Sequence, residues 1–178
     1  MAEFKTAFQK MLIHEGGYVN DPEDQGGETY KGISRTMHNQ WPGWAIIDKF
    51  KNKFGFPATL DLSVELQNHV ELFYRSNFWS PLNADHISNQ VIANSIFDFS
   101  VNAGIITSVR LAQSIVGVKA DGIIGEVAIK NLNSLDFGCF LPAFTVGKIS
   151  HYIAIIKKRP ANKKYLYGWV IRALEYIE

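Results

Sequence analysis

The stretch running from His14-Glu15-Gly16-Gly17-Tyr18 to Asp24-Gln25-Gly26-Gly27-Glu28-Thr29-Tyr30-Lys31-Gly32-Ile33-Ser34 holds three side chains with the types and order of an acid–base site. Glu15 is expected at the last turn of a helix, where unpaired carbonyls place partial negative charge. That field favours the protonated carboxyl, the form a general acid must hold. Asp24 follows nine residues on, in a polar loop where a carboxylate stays charged; Thr29, five further, carries a hydroxyl suited to positioning a water. Two carboxyls in contrasting surroundings are what breaking a glycosidic bond requires. One protonates the departing oxygen, and the other activates water or stabilises an oxocarbenium ion. Each residue alone has a plainer reading, as a helix end, a turn or a strand residue. Their order around one Gly-rich turn is the signal. Asp21, Glu23 and Glu28 lie close enough in sequence to compete with Asp24.

The elements that must hold these residues are mostly helical. Phe4, Phe8, Met11 and Leu12 share one face of a first helix, expected to stop at Gly16-Gly17 through a left-handed cap. The polar residues 18–35, with a Gly26-Gly27 turn, predict a small β-hairpin or an ordered loop. A poorly patterned connection follows, broken by Trp41-Pro42-Gly43-Trp44 and Pro57. Helical spacing then returns in Leu62, Leu66, Val70, Phe73 and Asn77, up to Pro81, and in Val91, Ser95, Phe99 and Asn102, up to Gly104. Thr107 is placed to cap a short helix that Gly117 ends. Further helices are expected over 128–135, 140–156 (with Pro142 in the first turn) and 165–177. The chain is therefore read as mainly α with one small β element near its N-terminus.

Composition narrows the function. The 178 residues are 47% hydrophobic, enough for a packed core, and their net charge of +1 does not suit a protein that grips phosphate backbones. With one cysteine, Cys139, neither an internal disulfide nor a cysteine zinc site can form. His14-Glu15 begins like a zinc-protease motif, but Tyr18 stands where the second histidine belongs. No phosphate loop or nucleophile elbow is present. The N-terminus lacks the apolar run of a signal peptide, and no stretch approaches the ~20 apolar residues that span a bilayer. A protein made in the cytoplasm, without stable membrane insertion, is expected. Lys157-Lys158-Arg159 with Lys163-Lys164 closes a helix. A solvated helix end is the plain reading of this cluster; attraction to an anionic wall polymer or membrane surface is the alternative.

These motifs resemble glycoside hydrolase family 108, the predicted lysozyme (N-acetylmuramidase) family that includes phage endolysins and proteins labelled secretion activators. Glu15-Gly16-Gly17-Tyr18 matches its N-terminal signature, and Asp24-Gln25-Gly26-Gly27 with Thr29 and Gly32-Ile33-Ser34 resembles the segment after it, with Gln25 in place of a proline. Tyr74-Arg75-Ser76-Asn77-Phe78-Trp79 and Asp98 with Val101-Asn102-Ala103-Gly104 are similar to two later motifs. Asp121-Gly122-Ile123-Ile124-Gly125 and Tyr165-Leu166-Tyr167-Gly168-Trp169 resemble the peptidoglycan-binding region that follows in that family. They depart from it at Glu126-Val127 and Ile171.

The resemblance implies a lysozyme-like, two-lobed helical fold, with residues 1–92 catalytic and 93–178 a helical peptidoglycan-binding region packed against them. It implies cleavage between N-acetylmuramic acid and N-acetylglucosamine, with Glu15 as acid, Asp24 as base or stabiliser and Thr29 as water positioner. A lytic transglycosylase using the same acid, and a non-catalytic wall-binding secretion accessory, are the alternative readings. The chemistry needs no metal or cofactor. Peptidoglycan glycan strands are the expected partner and nucleic acid is not, while export would fall to a holin or a secretion system. Sugar polymers are held by aromatic faces and polar groups, so Tyr18, Tyr30, Trp41, Trp44, Tyr74 and Trp79 are the candidate groove residues. Trp41 and Trp44, between proline and glycine, are placed for it; Tyr74 and Trp79 have a spacing that also fits core packing. Asp98 and Asn102, one helical turn apart, are expected to face the cleft, the alternative being that Asn102 serves to end its helix.

Overall fold

A computed structural model describes residues 1–20 and 27–177. Among these residues it contains eight α-helices and one small antiparallel sheet, so the chain is mainly α with its β element near the N-terminus. Two compact units are present: residues 8–76, and residues 77–178 together with 1–7.

In the unit of residues 8–76, helix α1 (Phe4–Leu12) gives way to successive one-turn bonds, with the His14 and Glu15 amides donating to Met11 and Leu12. The helix thus ends a turn before Gly16-Gly17. Neither glycine has positive φ, because the chain leaves directly into a strand instead of reversing through a left-handed cap. Strands β1 (Tyr18–Asn20), β2 (Glu28–Tyr30) and β3 (Ile33–Ser34) pair antiparallel in that order, Tyr18 opposite Tyr30 and Tyr30 opposite Ile33. The expected hairpin is present as β1 and β2, its connection through Gly26 lying outside the described residues, and a third strand is added by a tight turn at Lys31-Gly32, with φ of 44° and 76°. Two successive positive φ values give the turn a twist that matches the flanking strands.

The stretch read as a broken connection holds helix α2 (Gly43–Phe50). Pro42 occupies its N-cap and Trp44 its first turn, so residues read as breakers start a helix instead. Helix α3 (Val64–Tyr74) is capped by the Ser63 hydroxyl, which accepts from the Leu66 amide, and it runs into a π turn over Arg75–Trp79. The unit's core gathers Met11, Ile33, Ile47, Leu60, Leu66 and Val70, all at most 1% exposed.

The other unit is helical throughout its described residues: α4 (Gln90–Ala103), α5 (Ile105–Ile115), α6 (Glu126–Ser134), α7 (Phe137–Lys158) and α8 (Leu166–Leu174). Asn89 caps α4 by accepting from the Val91 and Ile92 amides, and Gly104 at φ 89° lets α5 begin at once. Thr107 therefore lies inside α5 and does not cap it. Helix α7 starts earlier than expected, so Pro142 falls in its second turn and the bond to the Gly138 carbonyl is forgone. Its segment Gly138–Lys158 is long and apolar enough to span a bilayer by composition, which exceeds the sequence expectation. Its inner face nevertheless belongs to the unit's core, through Phe140, Phe144 and Tyr152.

That core also encloses charge. Asp98 on α4 receives Arg172 of α8 through Nε at 3.0 Å to both carboxylate oxygens and through a terminal nitrogen at 2.8 Å. Lys148 on α7 is 1% exposed. Its ammonium has no hydrogen-bond partner among the described residues and rests over the rings of Phe144 and Tyr176. Burial pushes Lys148 down to about 8, against the restoring charge of Asp98.

Asp98→Asn is expected to destabilise the fold by about 3–5 kcal/mol, because Arg172 and Lys148 stay buried without their carboxylate. Lys148→Met should do the opposite, adding up to about 3 kcal/mol at neutral pH. Between about 8 and the ordinary 10.5, only the unfolded chain binds the Lys148 proton, so the unsubstituted protein gains stability as pH rises through that window. The variant's advantage is then largest below pH 8 and shrinks toward 10.5, which denaturant melts across that range will measure.

Candidate active site

Glu15 is half-buried at the end of the turns that follow α1. Its carboxyl lies against the α-carbon of Gly32, where a side chain would overlap both the Glu15 carboxyl and the Tyr74 hydroxyl. The close approach explains the glycine. Any larger residue at 32 would displace the acid and would also be strained at φ 76°.

The preceding residue holds the turn in place. Lys31 adopts φ 44°, uncommon for a side chain of its size, and each of its polar groups is tied. Its amide donates to the Gly17 carbonyl, its carbonyl accepts from the Tyr74 hydroxyl at 2.6 Å, and its ammonium meets Gln67 Oε1 at 2.7 Å and Asp61 at 2.9 Å. Asp61 also accepts from the Tyr30 hydroxyl at 3.0 Å. Burial would raise the Asp61 carboxyl, but its bonds from Lys31 and Tyr30 outweigh that and hold it below the usual carboxylate range. Tyr30, 1% exposed, is pushed up by burial. Lys31, Asp61 and Gln67 were not singled out in the sequence. A lysine in a left-handed turn leaves no pattern, and Asp61 and Gln67 come near only when α3 folds back.

Glu28 is engaged on several sides. It pairs with Arg35 at 2.6 Å and Lys51 at 2.9 Å, and accepts from the Tyr18 hydroxyl at 2.8 Å. Asp48 joins the same cations, Arg35 through two nitrogens at 2.7 and 3.0 Å. Glu28 is thus an anchor between sheet and α2. Burial and the bond to Glu28 raise the Tyr18 hydroxyl, whose ring packs edge-on against Phe56 at 4.7 Å. Thr29, half-buried, sits on the central strand opposite Val19 and Ser34. Asp24, with Asp21 and Glu23, lies outside the described residues.

The aromatic expectations are corrected in part. Trp41 and Trp44 are 8% and 3% exposed, meet edge-to-face at 5.2 Å, and donate their indole N–H groups to the His69 and His38 carbonyls. These rings are interior packing, because Gly43 between them allows the Trp41 ring to fold over the backbone. Tyr74, 2% exposed, reaches the site through its hydroxyl and not its ring face.

In the other unit, Trp79 is fully buried against Phe4 and Phe97 and donates to Asp85. Asp98 is engaged by Arg172 and does not face a cleft, because an isolated carboxylate is too costly to bury among these helices. Asn102 is half-buried near the end of α4.

Gly32→Ala is expected to lower stability by roughly 1–2 kcal/mol through its backbone angle. The added methyl also displaces the Glu15 carboxyl and the Tyr74 hydroxyl, and thermal melts beside the parent measure the combined cost.

Comparison with known proteins completes the picture. No curated protein matches the chain. Among solved structures, that of Brucella abortus SagA aligns with a TM-score of 0.62 at 20% identity, covering 98% of this chain and 95% of that one, which shows a shared fold. Residues 107–174 match the Predicted Peptidoglycan domain. With residues 8–104, more than half its length, matching Glycosyl hydrolase 108, the chain belongs to that family and is a glycoside hydrolase of peptidoglycan.

Proposed function

We propose that the enzyme is an N-acetylmuramidase, cleaving between N-acetylmuramic acid and N-acetylglucosamine with Glu15 as general acid. The observation that carries this reading is the seat of the Glu15 carboxyl. It rests on a side-chain-free turn whose backbone is fixed by Tyr74 and Lys31, so the acid is aimed by the fold and not left to swing in solvent. A half-buried carboxyl of this kind can hand its proton to the departing sugar oxygen.

Asp24 then directs water or stabilises the developing positive charge, and Thr29 orients that water. Support for Asp24 comes from the family's motif, and one of its competitors, Glu28, is otherwise engaged. Glu28 is committed to Arg35 and Lys51, and Asp24 stands in the Asp-Gln-Gly-Gly segment. Tyr18, on the strand that follows Glu15, is the aromatic of this unit best placed to meet a sugar. The C-terminal half holds the glycan strand. Delivery to the wall falls to an export partner.

Glu15→Gln should leave the thermal melt within about 1 kcal/mol of the parent and lower clearing of purified cell walls by at least about a hundredfold. Mass spectrometry of the released muropeptides should show reducing N-acetylmuramic acid ends. Anhydro ends would replace hydrolysis by transglycosylation, and undiminished clearing by Glu15→Gln would remove the acid assignment altogether.

A further inference from the structure

The region from Phe137 to Leu174 contains seven lysines and arginines and no aspartate or glutamate, in a chain whose net charge is +1. Two of the seven, Lys148 and Arg172, are in the core; the other five are Lys157, Lys158, Arg159, Lys163 and Lys164, all exposed around the C-terminal end of α7. Along the outer face of the same helix run Cys139, Ala143, Val146, Ser150 and Ala154, with Ile153 beside them, one hydroxyl interrupting the small apolar residues. Val146 is 63% exposed and Ile153 43%. Tyr165 and Tyr167, at 49% and 80%, stand just beyond the cationic end. An apolar stripe that runs into a block of uncompensated cations, flanked by tyrosines, has two demands: an apolar phase and anionic groups at its boundary.

We propose that this face of α7, with the Lys157–Lys164 end, docks peripherally on an anionic phospholipid bilayer. Headgroup phosphates meet the lysines while Val146 and Ile153 enter the headgroup–acyl boundary. Charge complementarity decides the occupant. A second copy meeting this face with its own like face would set cation against cation, since no acid lies between residues 137 and 174, and a glycan strand offers no apolar phase for the stripe. The helix lies on the membrane and does not cross it, because Phe140, Phe144, Lys148 and Tyr152 on its inner side are built into the core. The inference does not depend on the assignment of Glu15.

Sedimentation of the full chain with vesicles tests it, comparing phosphatidylglycerol-containing vesicles with pure phosphatidylcholine at physiological ionic strength. Binding at least about tenfold tighter to the anionic vesicles is expected, with a similar loss both for K163E/K164E and for V146D/I153D. V146S/I153S, gentler at exposed positions, should fall between, and circular dichroism checks each fold. Glu15→Gln should bind as the parent does, which separates this result from failure of the muramidase reading. Equal binding to both vesicle types overturns the proposal. So does V146D/I153D binding at full strength, which would reduce the interaction to attraction for any polyanion. A dimer in solution that V146D/I153D dissolves also overturns it, making the face a self-interface.

Discussion

The Tyr74 hydroxyl donates to the carbonyl of Lys31, a residue held at positive φ, and that bond ties α3 to the turn on which the Glu15 carboxyl rests. Gln67 and Asp61 clamp the lysine's other end, and Tyr30 completes the set from the central strand. A left-handed lysine persists only where its surroundings determine it several times over. Here four partners do so. The sheet needs its turn there for β3 to pair with β2, and the Glu15 carboxyl occupies the space that a side chain on Gly32 would fill. One backbone geometry therefore satisfies both strand pairing and the seating of a carboxyl.

The opposite side of the sheet's pairing is fixed by charge. Glu28 and Asp48 share Arg35 and Lys51, with Arg35 also lying over the Trp44 ring at 4.5 Å. Half-buried networks of this sort gain from geometry more than from Coulomb energy alone. This one commits the Glu28 carboxylate to holding β2 against α2.

Most helices were legible in the sequence, because apolar spacing reports which face must be buried. Val70 and Leu66 on α3, and Gly104 ending α4, follow that rule. The helix caps mostly were not: Thr107 lies inside α5, and Ser63 and Asn89 do the capping. Less legible was whatever depends on contacts far along the chain. Trp41-Pro42-Gly43-Trp44 has the composition of a loop, yet it begins α2 because its rings find a hydrophobic interior to fill. Asp98 and Asn102 have the spacing of a polar face, but only the return of α8 reveals the arginine waiting for the aspartate. Glu15 could be singled out by its motif, whereas its seat on Gly32 could not. That contact joins two segments whose separation carries no periodic signal.

The pairing of Asp98 with Arg172 bears on how such chains are assembled. The two matched regions meet between residues 104 and 107, yet the aspartate lies before that seam, the arginine after it, and both sit inside one compact unit. A fragment cut at the seam would part the aspartate from both buried cations, Lys148 and Arg172. Exchange of wall-recognition halves between relatives is therefore a graft through living wood, not the uncoupling of two beads on a string. An incoming half takes only if it carries its own guanidinium to that aspartate.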